Sequence, residues 1–138
     1  MMKLVIGLLL LGATAYGGQI QYLVNVNTTT APSSGYLDFE FNPGDATSQA
    51  AFVTISGFVP GGGLTGSPVT AGSTSGTLPS PMTINNPAFF NDYFQAFNFG
   101  PQITFLVTLD GPGLTAPNGT STGGSIFVFG MFASDQTT

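Results

Sequence analysis

Leu37-Asp38-Phe39-Glu40-Phe41 alternates without a break between apolar and acidic side chains, and Asn42-Pro43-Gly44-Asp45 follows it directly. A period of two sends alternate side chains to opposite faces of an extended strand. Leu37, Phe39 and Phe41 therefore line a core face, while Asp38 and Glu40 point to water. Pro43 fixes φ and Gly44 permits a positive one, so the chain turns there. A half-buried strand closed by a turn is the unit of an antiparallel sheet, and the rest of the chain repeats it.

Gln19–Asn27 places Ile20, Tyr22, Val24 and Val26 on one face, with mostly Gln and Asn on the other. Ala51–Phe58 is a third strand. Ile103–Asp110 turns Ile103, Phe105, Val107 and Leu109 inward. Ser125–Phe132 is apolar on both faces, which predicts a central strand. The segment Phe89–Phe99 fits two periods. Phe90, Phe94 and Phe97 have helical spacing behind Asn86-Pro87, whereas Tyr93, Gln95, Phe97 and Phe99 alternate as a strand, the reading its aromatic richness favours. Residues 60–81 form a Gly- and Pro-rich connection with a short strand near Ser75–Leu78, before a strand beginning at Met82–Asn85. A connection of that length covers a sheet edge or a site. Short strands, glycine-rich turns and no fixed repeat predict an all-β protein, an antiparallel β-sandwich of jelly-roll type.

Ahead of this pattern stands Lys3, the only basic residue of the 138, followed by the apolar run Leu4–Leu11 and small residues at Ala13, Ala15 and Gly17. A positive head, a short apolar stretch and a small-residue cleavage site make a secretory signal peptide. Cleavage is expected after Gly17, with Ala15 the alternative, dividing the chain into a leader (1–17) and one β-sandwich domain (18–138). The run is too short for a membrane-spanning helix, so no integral membrane span is expected in this chain.

Removing Lys3 takes the formal charge from −5 to −6 and leaves no cation. Phosphate neutralisation needs Lys or Arg, so a nucleic acid partner is excluded. With no Cys there is no disulfide scaffold, and stability rests on burial. Hydrophobic residues at 42% are enough to fill a core.

The usual catalytic groups are sparse. Without His or Cys the chain lacks the commonest general base, the thiol nucleophile and the usual zinc ligands. Asp38 and Glu40 share a strand face, the minimum for glycoside hydrolysis, but the preferred reading is of two solvated charges that keep that face wet. No Trp is present to stack on a sugar. Asp45, Asp92, Asp110 and Asp135 fall at turns or strand ends and are the candidates for a structural calcium, although no calcium-loop motif surrounds them. Asn27-Thr28-Thr29 and Asn118-Gly119-Thr120 are glycosylation sequons that in most bacteria go unused.

Phe90-Asn91-Asp92-Tyr93-Phe94-Gln95-Ala96-Phe97-Asn98-Phe99-Gly100, then Ile103-Thr104-Phe105, Leu109-Asp110-Gly111-Pro112, Pro117-Asn118-Gly119-Thr120 and Phe127–Asp135, resemble secreted bacterial PEP-CTERM proteins, in particular a subfamily of unknown function. Gln19–Asn27 and Gly35–Gly44 fit as well. The resemblance implies an exported β-rich protein of an exopolysaccharide-producing bacterium, sorted by a C-terminal Pro-Glu-Pro motif, transmembrane helix and Arg-rich end. Those elements are not among the 138 residues, so the expectation is a sandwich lacking its last strands and a sorting signal beyond Thr138. The expected function is that of a non-enzymatic, secreted surface or matrix protein, whose partners are extracellular polysaccharide or cell-envelope components. A carbohydrate-binding module, using exposed Tyr22, Tyr36, Tyr93 or Phe94, is the alternative, and a hydrolase stands third.

Overall fold

The computed structural model of the chain describes residues 11–16 and 18–136. Two antiparallel sheets pack face to face. One has the order β1-β2-β10-β4-β8-β7, from β1 (Leu11–Tyr16), β2 (Gln19–Asn27), β10 (Gln102–Asp110), β4 (Phe52–Val59), β8 (Met82–Asn85) and β7 (Thr74–Gly76). The other has the order β11-β3-β9-β5, from β11 (Ile126–Ala133), β3 (Ser34–Asn42), β9 (Asp92–Asn98) and β5 (Gly63–Leu64), with β6 (Val69–Ala71) also paired to β9. One helical turn, α1 (Pro112–Thr115), begins at a proline as helices favour. The protein is the all-β sandwich that the alternation predicts.

The pairs nest. β2 lies against β10, β3 against β9 and β4 against β8, with Val24 opposite Phe105, Phe39 opposite Tyr93 and Val53 opposite Ile84. Such concentric pairing divided between two sheets is the winding of a jelly roll. The inward faces are those expected: Val24 and Val26, Leu37, Phe39 and Phe41, Val53 and Ile55, and Ile103, Phe105 and Val107 are all buried. Phe39 is the hub, its ring centroid 4.9 Å from Phe129, 5.4 Å from Phe105, 6.4 Å from Tyr93 and 6.5 Å from Phe58. Phe58 reaches the core only because β4 is irregular. The register against β10 shifts between Thr104 and Leu106, and Gly57 takes φ 58°. This bulge reverses the alternation, turning Phe58 in and Val59 out.

Phe89–Phe99 resolves to the strand alternative, since β9 buries Tyr93, Gln95 and Phe97. The long connection covers an edge, as its length suggests. β5 and β6 pair with β9, and β7, close to the short strand expected there, pairs with β8. A buried polar bridge secures it. The Tyr93 hydroxyl accepts from the Leu78 N–H at 3.1 Å and donates to Gln95 Oε1 at 3.2 Å, while Gln95 Nε2 donates to the Thr65 carbonyl at 2.8 Å.

Residues 1–17, the expected leader, are described only in part. In the structure Leu11–Tyr16 runs along β2 as its edge neighbour, while residues 1–10 and Gly17 lie outside the described residues. β11 is not central. Its inner face packs Phe127, Phe129 and Met131 on the core, but among the described residues β3 is its one sheet neighbour, and Ile126 and Val128 are exposed. Two apolar faces here mark an uncovered edge rather than an interior strand. Ile126–Ala133 holds neither charge nor proline to deter pairing, so the 138-residue chain should self-associate through it. Sedimentation velocity should show oligomers that Val128→Lys returns to monomer at equal concentration.

Candidate functional site

The outward face of the second sheet gathers most of the unusual chemistry. Strand parity and register decide what meets there. β3 contributes Tyr36, Asp38 and Glu40, and β9 contributes Asp92 and Phe94. Glu40 lies opposite Asp92 on β9 and Val128 on β11, and Asp38 lies opposite Phe94 and Gly130. Tyr36 lies opposite Phe132.

Asp38 departs from the sequence expectation. Its parity is outward, yet it is only 8% exposed. Neighbouring rings cover it. Tyr36 and Phe94 stack at 4.7 Å with planes 18° apart, and Phe94 lies 6.1 Å from Phe132. Gly130 makes room for this cover, because a Cβ there would stand 3.2 Å from Phe132 Cε2 and 3.4 Å from Asp38 Cβ.

Burial has an electrostatic consequence. The buried Asp38 Oδ1 and Asp92 Oδ1 receive no donor from other groups, and the two carboxyls lie within hydrogen-bonding reach of each other. Two acceptors bond only if one carries a proton. Desolvation, reinforced by Asp92, pushes Asp38 up to about 7, so below that pH Asp38 carries the proton that the pair shares. Asp92 is itself raised by burial and by the Glu40 charge. Glu40 is raised by burial and by Asp38, against a 2.7 Å bond from Asn42 Nδ2.

The calcium candidates do not converge. Asp45 ties two loops: its Oδ1 accepts from the Thr47 N–H at 2.7 Å and hydroxyl at 2.6 Å, and its Oδ2 from Thr122 at 2.8 Å. Those bonds hold its carboxyl well below the usual range. Asp110 ends β10, accepting from Gln19 and from the Gly111 N–H, which lowers it too. Asp92 belongs to the acid cluster, and Asp135 sits in the turn after β11. Among the described residues no group of three or more carboxylates is arranged to hold a metal ion.

Of the aromatic candidates, Tyr36 and Phe94 reach this face. Tyr93 is wholly buried, since its hydroxyl serves the Leu78–Gln95 bridge. Tyr22 packs against the core. Sequence reasoning passes over Phe132 and the meeting of Asp92 with Asp38. The available signal is parity: once Tyr93, Gln95 and Phe97 are inward, Asp92 and Phe94 must be outward.

No protein family, curated protein or solved structure matches the chain.

Proposed function

We propose that this chain is a non-enzymatic, secreted surface or extracellular-matrix protein of an exopolysaccharide-producing bacterium, working as a binding β-sandwich. The observation that carries the reading is the outward Tyr36–Phe94–Phe132 row beside three carboxylates. Aromatic rings turned away from a filled core, next to polar acceptors, make a contact surface for a partner. The leader at 1–17 and the family resemblance support the extracellular setting. No helix among the described residues is long and apolar enough to cross a membrane.

The aromatic row also favours the second reading, a carbohydrate-binding module. Sugar rings pack on aromatic side chains, and carboxylates accept from their hydroxyls. On an array of extracellular polysaccharides the chain should bind a subset, and Phe94→Ala should weaken that binding about tenfold, the equivalent of ~1.4 kcal/mol. Binding unchanged by Phe94→Ala would remove this face from the reading.

A further inference from the structure

We infer that a pocket at one end of the sandwich, where three loops meet the helical turn α1, takes a single residue of a neutral sugar. This rests on the carbohydrate-binding reading and adds to it a site apart from the aromatic row of the second sheet.

Loop placement makes the pocket. The connections β3–β4, β6–β7 and β8–β9 converge there with α1 and enclose about 500 Å³. That volume lies within the roughly 300–1,000 Å³ of small-molecule sites. Pro43, Phe52, Pro87, Phe89 and Pro112 give it apolar walls. Its polar lining includes Asn85, opposite Phe52 in the β4–β8 pair, and Ser73. Both are half-buried, and Asn85 Nδ2 donates to the Ser73 hydroxyl at 3.2 Å. Among the described residues no group bonds to Asn85 Oδ1 or accepts the Ser73 hydroxyl proton, so an acceptor and a donor stand ready side by side.

The loop that carries Phe89 is the second, independent observation. Buried asparagines clamp it at both ends. Asn86 Oδ1 accepts from the Ala51 N–H at 2.9 Å, and its Nδ2 donates to the Gln49 carbonyl at 2.9 Å and the Ser125 hydroxyl at 2.7 Å. Asn91 Nδ2 donates to the Phe41 and Ala88 carbonyls at 3.1 and 2.7 Å, and its Oδ1 accepts from the Ser73 N–H at 3.1 Å. Two satisfied buried amides thus fix the loop, yet the Phe89 ring it presents is 72% exposed. The core gains nothing from a ring held in water. A ligand that lands on a ring already in position loses little entropy in ordering it.

Charge and polarity select the ligand. No lining residue is cationic, and no Lys or Arg follows Lys3, so phosphates and uronic acids find no counter-charge. Asp45 on the wall repels them further. Its own oxygens are bonded to Thr47 and Thr122, which leaves it a poor partner for a cation. A wholly apolar ligand would strip water from Asn85 and Ser73 without replacing it. A neutral hexose answers both demands, with a C–H face for the Phe89 and proline rings and hydroxyls for Asn85 and Ser73. The site is a bounded pocket rather than a long groove, so it suits one residue at a chain end or branch.

The test titrates the full chain with neutral tetrasaccharides of glucose, galactose and mannose, and with tetragalacturonate, by calorimetry. At least one neutral oligomer should bind, at least tenfold more tightly than the acid. Phe89→Ala should weaken that binding about tenfold, the size of one lost aromatic contact, and Phe94→Ala should leave it unchanged. Phe89 is exposed, so its removal should leave the thermal melt where it was. Asn85→Ala is the companion variant, with the same melt as its control. Neutral binding that falls in Phe94→Ala but not in Phe89→Ala overturns the pocket and leaves the carbohydrate reading on the aromatic row. Polysaccharide binding on an array without any tetrasaccharide binding does the same. Binding of neither overturns both. Tetragalacturonate bound as tightly as the neutral oligomers, or a neutral hexaproline peptide that binds as tightly and is lost in Phe89→Ala, overturns the neutral-sugar proposal.

Discussion

Phe39→Ala should destabilise the folded chain by about 3–5 kcal/mol, enough to unfold much of a domain whose total stability is on the order of 5–15 kcal/mol. Phe39 is wholly buried on β3 and meets Phe58, Tyr93, Phe105 and Phe129, so its ring joins both sheets. Truncation removes that buried area and leaves a cavity that rings on four different strands cannot all move to fill. Phe127→Ala on β11 is the control. Phe127 is only partly buried, and its strand is open on one side, so its loss should cost roughly 1–2 kcal/mol. Urea melts of the two variants compare them directly. A Phe127→Ala effect equal to that of Phe39→Ala would mean that β11 is covered in solution and that the core is arranged otherwise.

A second large effect should appear with pH. Asp38 titrates at about 7 in the folded protein, against an ordinary value of 3.8. Between those values the native state holds a proton that the unfolded chain has released. Stability from this group is therefore fully present below about pH 4 and is lost as pH rises through about 7. One unit is worth about 1.4 kcal/mol, and solvent screening of the partly wet cluster reduces the whole loss to about 2 kcal/mol. Asp38→Asn keeps the shape and supplies a permanent donor to Asp92. It should flatten the decline between pH 4 and 7 and raise the melting temperature at pH 8. A variant that is less stable than the parent at pH 8 would show that an ionised Asp38 is useful to the fold.

The fold was legible where a local pattern determines it. Alternation in Leu37–Phe41, Gln19–Asn27 and Ile103–Asp110 names the buried residues, because each strand has one face on the core. What no single segment carries is its neighbours. Asp38 has the outward parity of a solvated charge, but Phe94 and Phe132 from distant strands cover it. Asp92, read on its own, is a turn-like acid with calcium potential, and only the β3–β9 register sets it opposite Glu40. Ser125–Phe132 has the composition of an interior strand and the position of an edge. Tyr93 is aromatic and polar enough to be taken for a surface ligand contact, yet its hydroxyl is spent on the bridge to Leu78 and Gln95. The acid-and-aromatic face was thus present in the sequence as scattered outward residues, and strand pairing assembled it.

The nested pairing also sets the order in which the molecule can form. β2 is among the first strands made, and its partner β10 lies some eighty residues later, with Val24 waiting for Phe105. β3 waits for β9 in the same way, with Phe39 facing Tyr93. Closing such loops costs entropy before any contact repays it, so folding of this topology is slow compared with helical proteins of the same size. A ribosome that has released the first half of the chain has released β3 and β4 without any of their partners, while β2 has only β1 beside it. The sandwich therefore cannot close until the strands of the second half have been made. A topology that joins early strands to late ones postpones its core to the end of synthesis.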